Sequence, residues 1–374
     1  MLEITEVKTR KQKKEFLEFP LRLYKNCQFF VPPLYMDEKK IFDDDYVYAD
    51  TCDYVYYLAV RDGKTVGRIS GILQKASNLK TGEKRVRFTR FDSIDDQQVA
   101  SALFKAVEDW AIKKGMDTVC GPLGFSDLER EGLLIEGFDQ LSTFEEQYNY
   151  EYYPKLIENC GYKKEVDWVE RKIFHVKEVD EKLVKVSQMM LKKYDLHFGT
   201  AKNVDEFLKK YSDQFFSLLD KTYENLYGTV PFTKSMKKMM IDNFKLIMSL
   251  KYVTVILDKN EEIVCLGIGF PSLSKAVQPS QGKLTIPAIF RLLKAIKHPK
   301  VLDLGLIGVR PDYAQKGVSS AIMAGLMQML HDDDIEYAET NLNLEDNHNM
   351  INQWRRFDNE LHKRRRSYVK KLSD

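Results

Sequence analysis

The chain has 374 residues, 44% of them hydrophobic and 30% charged, enough apolar material for a sizeable core and, by length, for about two domains. A net charge of +2 gives no ground for a nucleic-acid partner. Five cysteines (Cys27, Cys52, Cys120, Cys160, Cys265), odd in number and without metal-ligand spacing, argue against a disulfide framework and a zinc site and read as reduced cytoplasmic thiols. No run approaches the ~18 apolar residues of a membrane span, and the N-terminal MLEITEVKTRKQKKEF has no apolar signal core.

In chain order, Glu6 to Phe19 predicts a charged helix, and a proline-punctuated aromatic loop, KNCQFFVPPLYMDEKKIFD, follows. DYVYYLAV and KTVGRISGIL flank Arg61-Asp62-Gly63, which makes Asp53 to Leu73 a hairpin. A strand at Arg85 to Phe91 leads into a helix from about Asp96 to Lys114, with Ala100, Leu103, Phe104, Val107, Trp110 and Ala111 on its inner face. A short strand (Asp117 to Cys120), a Gly-rich loop (Gly121 to Gly137), the helix NYEYYPKLIENCGY and a strand at Trp168 to Val176 complete the first half.

The second half repeats that order. A connecting helix (Val179 to Lys193) and a second helix (Val204 to Tyr227) precede the hairpin YVTVILDKNEEIVCLGIGF and an amphipathic insert, Ile286 to Ile296. Then come a near-continuous apolar strand (Val301 to Val309), a turn opened by Pro311, and an apolar helix beginning near Val318 or Ser319. Ile335 to Leu344 alternates, with Ala338, Thr340, Leu342 and Leu344 on a core face and Tyr337, Glu339, Asn341 and Asn343 on a polar one. Asn347 caps a helix from His348 to Phe357, and LHKRRRSYVKKL closes the chain as a strand whose basic run, Lys363 to Arg366, reads as a solvated edge. Anionic lipid headgroups are the one peripheral membrane contact that run suggests. The repeated order predicts two tandem α/β domains of mixed sheet, residues 1–177 and 178–374.

The two strand-to-helix joins differ. Gln315, Lys316, Gly317, Val318 and Ser319 put a glycine and a small residue where the backbone turns into a helix, leaving amides outward at its positive end, a site for phosphate. No GxxxxGK[ST] is present, and Gly305, Gly308 and Gly317 lack the GxGxxG spacing. The corresponding join of the first half, Asp92-Ser93-Ile94-Asp95-Asp96-Gln97, has three carboxylates and no glycine. It would cap its helix from within and repel a diphosphate.

The later join resembles the pyrophosphate loop of the GNAT N-acyltransferase superfamily, V-x-P-x-Y-[R/Q]-x-x-G-x-[G/A]. Val309, Pro311, Tyr313, Gly317 and Ser319 fall on it in order, while Ala314 and Ser319 depart from the usual residue types. LGLIGVRPDYAQKGV joined to LNLEDNHNMIN, behind IPAIFRLLKAIKHPK, looks like the YghO-like, bacterial ceramide synthase-like branch. The resemblance implies two GNAT-like domains, the first degenerate, and acyl-CoA or acetyl-CoA as co-substrate. It implies that backbone N–H groups at Ile307, Gly308 and Val309 hold the thioester carbonyl and that amides of Gln315, Lys316, Gly317, Val318, Ser319 and Ser320 hold the diphosphate. Asn347 opens the segment where the family has N-x-x-A, and Trp354 stands at the usual Tyr position.

Acyl transfer to an amine by direct attack needs a base for the amine, donors for the oxyanion and a group to receive the thiolate. Glu339 and Glu345 are the candidate bases. Against those roles stand a solvated Glu339 and a Glu345 that supports the helix terminus. Trp354 cannot protonate a thiolate, which leaves Tyr313, Tyr337 or Tyr227, or no general acid at all. The aromatic loops Glu224 to Thr233 and Gly121 to Gly137 are candidate walls for a small-molecule or lipid amine. A non-catalytic acyl-CoA-binding protein on a degraded GNAT fold is the alternative. No metal is called for, and the oligomeric state is open.

Overall fold

The computed structural model describes residues 1–224 and 226–372. Strand β1 (Leu2–Glu6) precedes helix α1 (Arg10–Leu23), whose start is closed by a capping box between Thr9 and Gln12. After α2 (Tyr35–Lys39), strands β2 (Cys52–Arg61) and β3 (Lys64–Gln74) form the expected hairpin, with Asp62 and Gly63 at φ 49° and 77°. Left-handed values at both turn residues match the twist of the flanking strands. The first half continues through α3 (Lys75–Thr81), β4 (Arg85–Ser93), α4 (Gln97–Lys113), β5 (Thr118–Gly121), β6 (Leu133–Glu136), α5 (Tyr153–Asn159) and β7 (Lys163–Phe174).

Next come α6 (Glu181–Lys193), β8 (His197–Phe198), α7 (Val204–Tyr223) and α8 (Lys234–Ile247). Helix α8 is an addition to the elements expected above, although its signals are local. Thr233 caps it, and Met236, Met240 and Phe244 bury one face at four-residue spacing among many lysines. Then follow β9 (Val253–Leu257), β10 (Ile263–Pro271), α9 (Ser274–Val277), α10 (Ile286–Lys297), β11 (Val301–Val309) and α11 (Ser319–Asp332). The chain closes with β12 (Tyr337–Thr340), β13 (Asn343–Leu344), α12 (His348–Trp354) and β14 (Asn359–Lys371).

The chain divides into two compact units. One is Met1–Val169 with Ser274–Arg291 and His362–Asp374; the other is Glu170–Leu273 with Leu292–Leu361. A cut at residue 177 would divide the chain once, whereas the units divide it at four places, within β7, before α9, within α10 and within β14. In the first unit the strand order is β1-β2-β3-β4-β5-β14, antiparallel except for the β4–β5 pair. Its core gathers Phe88, Phe91, Phe104, Tyr153 and Tyr162 around α4. In the second unit the order is β7-β12-β11-β10-β9-β8, antiparallel except for β11–β12. Its core is the inner side of α11 (Ala321, Ile322, Met323, Leu326, Leu330) against Ile256, Val264, Cys265 and Leu302. Each unit is therefore mixed α/β, with one strand-helix-strand crossover joining its one parallel pair.

Two local readings are corrected. The alternating run Ile335 to Leu344 is not one strand: Asn341 donates its amide to the Leu304 carbonyl and Leu342 turns its amide to Asn341 Oδ1, which separates β12 from β13. Nor is one face of β12 open to solvent, for Ala338, Glu339 and Thr340 are all buried. The strand lies between β11 and β7, so a sheet neighbour flanks it on each side. The basic run Lys363 to Arg366 is likewise no solvated edge. Lys363 and Arg365 are buried, and β14 pairs with β6 through Arg364 to Arg366 and with β5 through Tyr368 to Lys371. Arg366 grips Asp167 with two nitrogens at 2.7 and 2.9 Å, so this charge is committed to the fold.

Candidate active site

Strand β11 has a partner on each side over only part of its length. On the β12 side the parallel register runs from Val301↔Tyr337 to Leu304↔Thr340 and then stops, while on the β10 side pairing continues to Cys265↔Val309. The strands therefore fork beyond Leu304. A bulge sits at the fork: Ile268 faces Leu306 but Gly269 faces Leu304, so Gly305 is the extra residue. A β-carbon there would lie 2.6 Å from the Phe270 ring, which explains the glycine. The Arg310 amide donates to the Val264 carbonyl on the β10 side. Strand alternation consequently turns the N–H groups of Ile307 and Val309 toward the open side of the fork and that of Gly308 toward β10. Gly308 also admits α7, since a β-carbon there would stand 3.2 Å from Leu218.

Beyond β11 the backbone coils through Pro311–Tyr313 and reaches α11 by two left-handed residues, Gln315 at φ 62° and Gly317 at φ 74°. Lys316 donates its amide to the Tyr313 carbonyl, Ser320 to Gly317 and Ala321 to Val318. Among the described residues no acceptor faces the amides of Gln315, Gly317, Val318 and Ser319, and α11 has no side-chain cap. The helix start thus keeps its partial positive charge available to a ligand. Gln315, Lys316 and Gly317 are exposed, whereas Val318 and Ser320 are buried. Of the six residues expected to offer amides to a diphosphate, four retain them; Lys316 and Ser320 use theirs within the turn.

The turn is braced from α6. Tyr194 meets the Tyr313 ring edge-on at 5.9 Å, the Lys316 ammonium lies 4.7 Å from the Tyr313 centroid and 5.4 Å from Tyr194, and the Arg310 guanidinium lies 4.9 Å from Tyr313. Arg310 is itself held by Asp258, Glu262 and Asp312. Tyr313 is therefore a packing centre of the loop with two cations at its ring. A phenol not singled out in the sequence, Tyr223 at the end of α7, donates to the Ile307 carbonyl at 3.1 Å on the open side of β11. Only its place on α7 over that strand distinguishes it, and no local pattern could have done so.

Glu339 is buried one residue before the fork, in register with Asp303, and one of its carboxylate oxygens lies within 4.8 Å of one of Glu170. The reading of Glu339 as a solvated residue is overturned. Burial, with the Glu339 and Asp303 carboxylates nearby, pushes the Tyr337 phenol well above its ordinary value, so it stays protonated. Glu345 is half-buried just after β13. The Asn347 side chain caps α12 by accepting from the Met350 amide at 3.2 Å. Trp354 is buried and donates its indole N–H to Asn343 at 2.9 Å. Of the expected acceptor-site walls, the loop Glu224 to Thr233 includes Asn225, which lies outside the described residues.

A search of solved structures finds a tandem GNAT protein from the clavulanic acid biosynthesis pathway with a TM-score of 0.57 at 12% identity, covering 100% of this chain and 99% of that one. This chain has a tandem GNAT fold. A GCN5-related glucosamine N-acetyltransferase region of a fungal multi-domain GH3 β-N-acetylglucosaminidase aligns with a TM-score of 0.59 at 10% identity, over 99% of this chain and 38% of that chain. No family model matches the sequence. Among curated proteins, Protein YghO of Escherichia coli (strain K12) is 27% identical over 372 residues, 96% of this chain and 93% of the relative. Bacterial ceramide synthase of Caulobacter vibrioides (strain NA1000 / CB15N) is 24% identical over 325 residues, 84% and 83% respectively. Both relatives agree with a GNAT branch, and the forked strand pair and uncapped helix start belong to the second GNAT-like unit.

Proposed function

We propose that this tandem GNAT protein is an acyl-CoA-dependent N-acyltransferase whose second unit holds the thioester while an amine attacks its carbonyl directly. The observation that carries the reading is the β11–α11 join, where a positive-φ glycine leaves four amides open at a helix start beside a forked strand. In this reading the amides of Gln315, Gly317, Val318 and Ser319 bind the diphosphate of coenzyme A, and the Lys316 ammonium adds charge beside them. The amides of Ile307 and Val309 receive the thioester oxygen as it becomes an oxyanion. Glu339, one residue before the fork, or Glu345 beyond it removes the amine proton, directly or through water. Tyr223, with its phenol on the open edge of β11, is our assignment for the proton donor to the leaving thiolate.

The relative described as a bacterial ceramide synthase supports a long-chain acyl donor and an amphipathic amine. Each methylene buried in an acyl site contributes ~0.8 kcal/mol, so a fitted tunnel would rank palmitoyl-CoA far above acetyl-CoA. The test is free-thiol release from acyl-CoAs of several lengths against a panel of amines. Release that requires both components is expected, with a higher kcat/KM for the long chain. A higher kcat/KM for acetyl-CoA would overturn the long-chain assignment alone. A second reading, an acyl-CoA-binding protein without turnover, draws on Trp354, whose buried indole leaves no phenol at the position where the family has Tyr. Tight acyl-CoA binding with no release for any amine would favour it.

A further inference from the structure

Helix α10 turns its bulky apolar side outward. Ile286, Ile289, Phe290 and Leu293 recur at i, i+3, i+4 and i+7, the spacing of a single helix face, and are 74%, 44%, 69% and 58% exposed. Leu284, just before the helix, is 47% exposed, and Ala288 is the one buried residue of the helix. An ordinary surface helix has the opposite arrangement. Arg291 donates to the Ala276 carbonyl, which ties the polar side of the helix down rather than the apolar one.

The charge around this face is of one sign. Lys283 precedes the helix, Lys294 and Lys297 lie in its final turns, and all three are exposed with no carboxylate partner among the described residues. The chain carries no Asp or Glu from Ile263 to Leu302. At ~18 Å the helix is too short for a ~30 Å hydrocarbon core, and no described helix is long and apolar enough to cross a membrane. An exposed apolar stripe with lysines that have no carboxylate partner among the described residues fits an interface of apolar interior and anionic rim, which is what the surface of a phospholipid bilayer offers. A second copy of this chain fits less well, because a twofold pairing of these faces would set the lysines of each copy against those of the other.

We propose that α10 is an interfacial helix that docks this protein on anionic lipid, with Ile286, Ile289, Phe290 and Leu293 in the acyl boundary and Lys283, Lys294 and Lys297 on headgroup phosphates. The surface does not use the Lys363 to Arg366 run, and it stands whether or not the second unit turns over acyl-CoA.

The experiment is flotation of the full-length protein with vesicles of phosphatidylcholine alone or mixed with phosphatidylglycerol. Partition onto the anionic vesicles is expected, weakening with salt. Ile286→Ser/Phe290→Ser should lower it by at least about tenfold, since apolar area leaves the membrane. Lys294→Gln and Lys297→Gln should lower it roughly fivefold each, on the anionic vesicles only. Both sets alter exposed side chains, and unchanged thermal melts confirm that the fold survives. Three results would each overturn the proposal: no partition by the wild-type protein, undiminished partition of Ile286→Ser/Phe290→Ser, or a dimer in buffer that this double variant dissolves.

Discussion

The β4–α4 and β11–α11 joins hold the same place in the element order of the two units, but the first is three residues long and closed by a carboxylate, and the second is nine residues long and open. In the first unit Asp96 Oδ1 accepts from the Gln98 and Val99 amides at 2.8 and 3.3 Å, and Oδ2 pairs with Arg61 at 2.7 Å. Asp92, buried four residues earlier, pairs with Arg68 at 2.8 Å and accepts from the Tyr24 phenol at 2.9 Å. The protein itself satisfies that helix start. In the second unit the same place has no side-chain cap, a glycine at φ 74° and open amides. One join thus stabilises its unit at the cost of anion binding, and the other leaves the positive helix end to a ligand.

The largest expected effect is at the open join. Gly317→Glu should abolish CoA binding in calorimetric titration, because it forces a side chain into a left-handed backbone position and brings a carboxylate to the diphosphate site. The mirror change, Asp95→Gly in the acidic join, should leave CoA affinity as it is. Equal losses from the two substitutions would erase the distinction between the units.

Asp92→Ala should strike the first unit alone. It leaves the buried Arg68 guanidinium without its carboxylate, a change that costs about 3–5 kcal/mol, so denaturant unfolding should show a large loss of stability. CoA titration of the protein that remains folded should be unaltered. A smaller effect is expected in the second unit: Glu339→Gln or Glu345→Gln should lower turnover by roughly a hundredfold with CoA affinity retained, as removal of a general base does. Wild-type rates across the pH profile in both variants would remove both residues from the mechanism.

Asp96 sharpens the comparison on the smallest scale. Asp96→Ala removes the cap and should cost ~1 kcal/mol. The Arg61 guanidinium, aided by the Val99 and Gln98 amides, holds the Asp96 carboxyl below the usual range. A group lowered by folding stabilises above its unfolded value and loses that contribution as pH falls through the folded one. Asp96→Asn keeps a capping oxygen but not the charge, so its deficit against wild type should be present at neutral pH and shrink below about pH 4. A deficit that grows on acidification would contradict the assignment.

Much of this architecture was legible locally. Asp62-Gly63 marked a hairpin because its left-handed turn has few residue solutions, the α4 periodicity marked a buried face, and the Gln315 to Ser319 stretch marked a helix start without a cap. The order of such elements, repeated, was enough for two α/β units of mixed sheet. What stayed hidden depended on partners distant in sequence. Glu339 looks solvated by its alternation and the Lys363 to Arg366 run by its charge, yet Glu339, Lys363 and Arg365 are buried in strands whose neighbours, β11 and β7 for the first and β6 for the run, come from other parts of the chain.

The sequence by itself determined where the backbone turns, which faces are apolar and which of two helix starts lacks an internal anion, since these follow from residue type over a few positions. Tertiary structure alone decided that β7 and β14 each serve both units, that the fork begins after Leu304, that Tyr223 reaches Ile307, and that α10 keeps Ile286, Ile289, Phe290 and Leu293 in solvent. Local chemistry sets what a segment prefers. Which strand lies beside another, and whether an apolar face finds a cover, is a property of the whole packed chain.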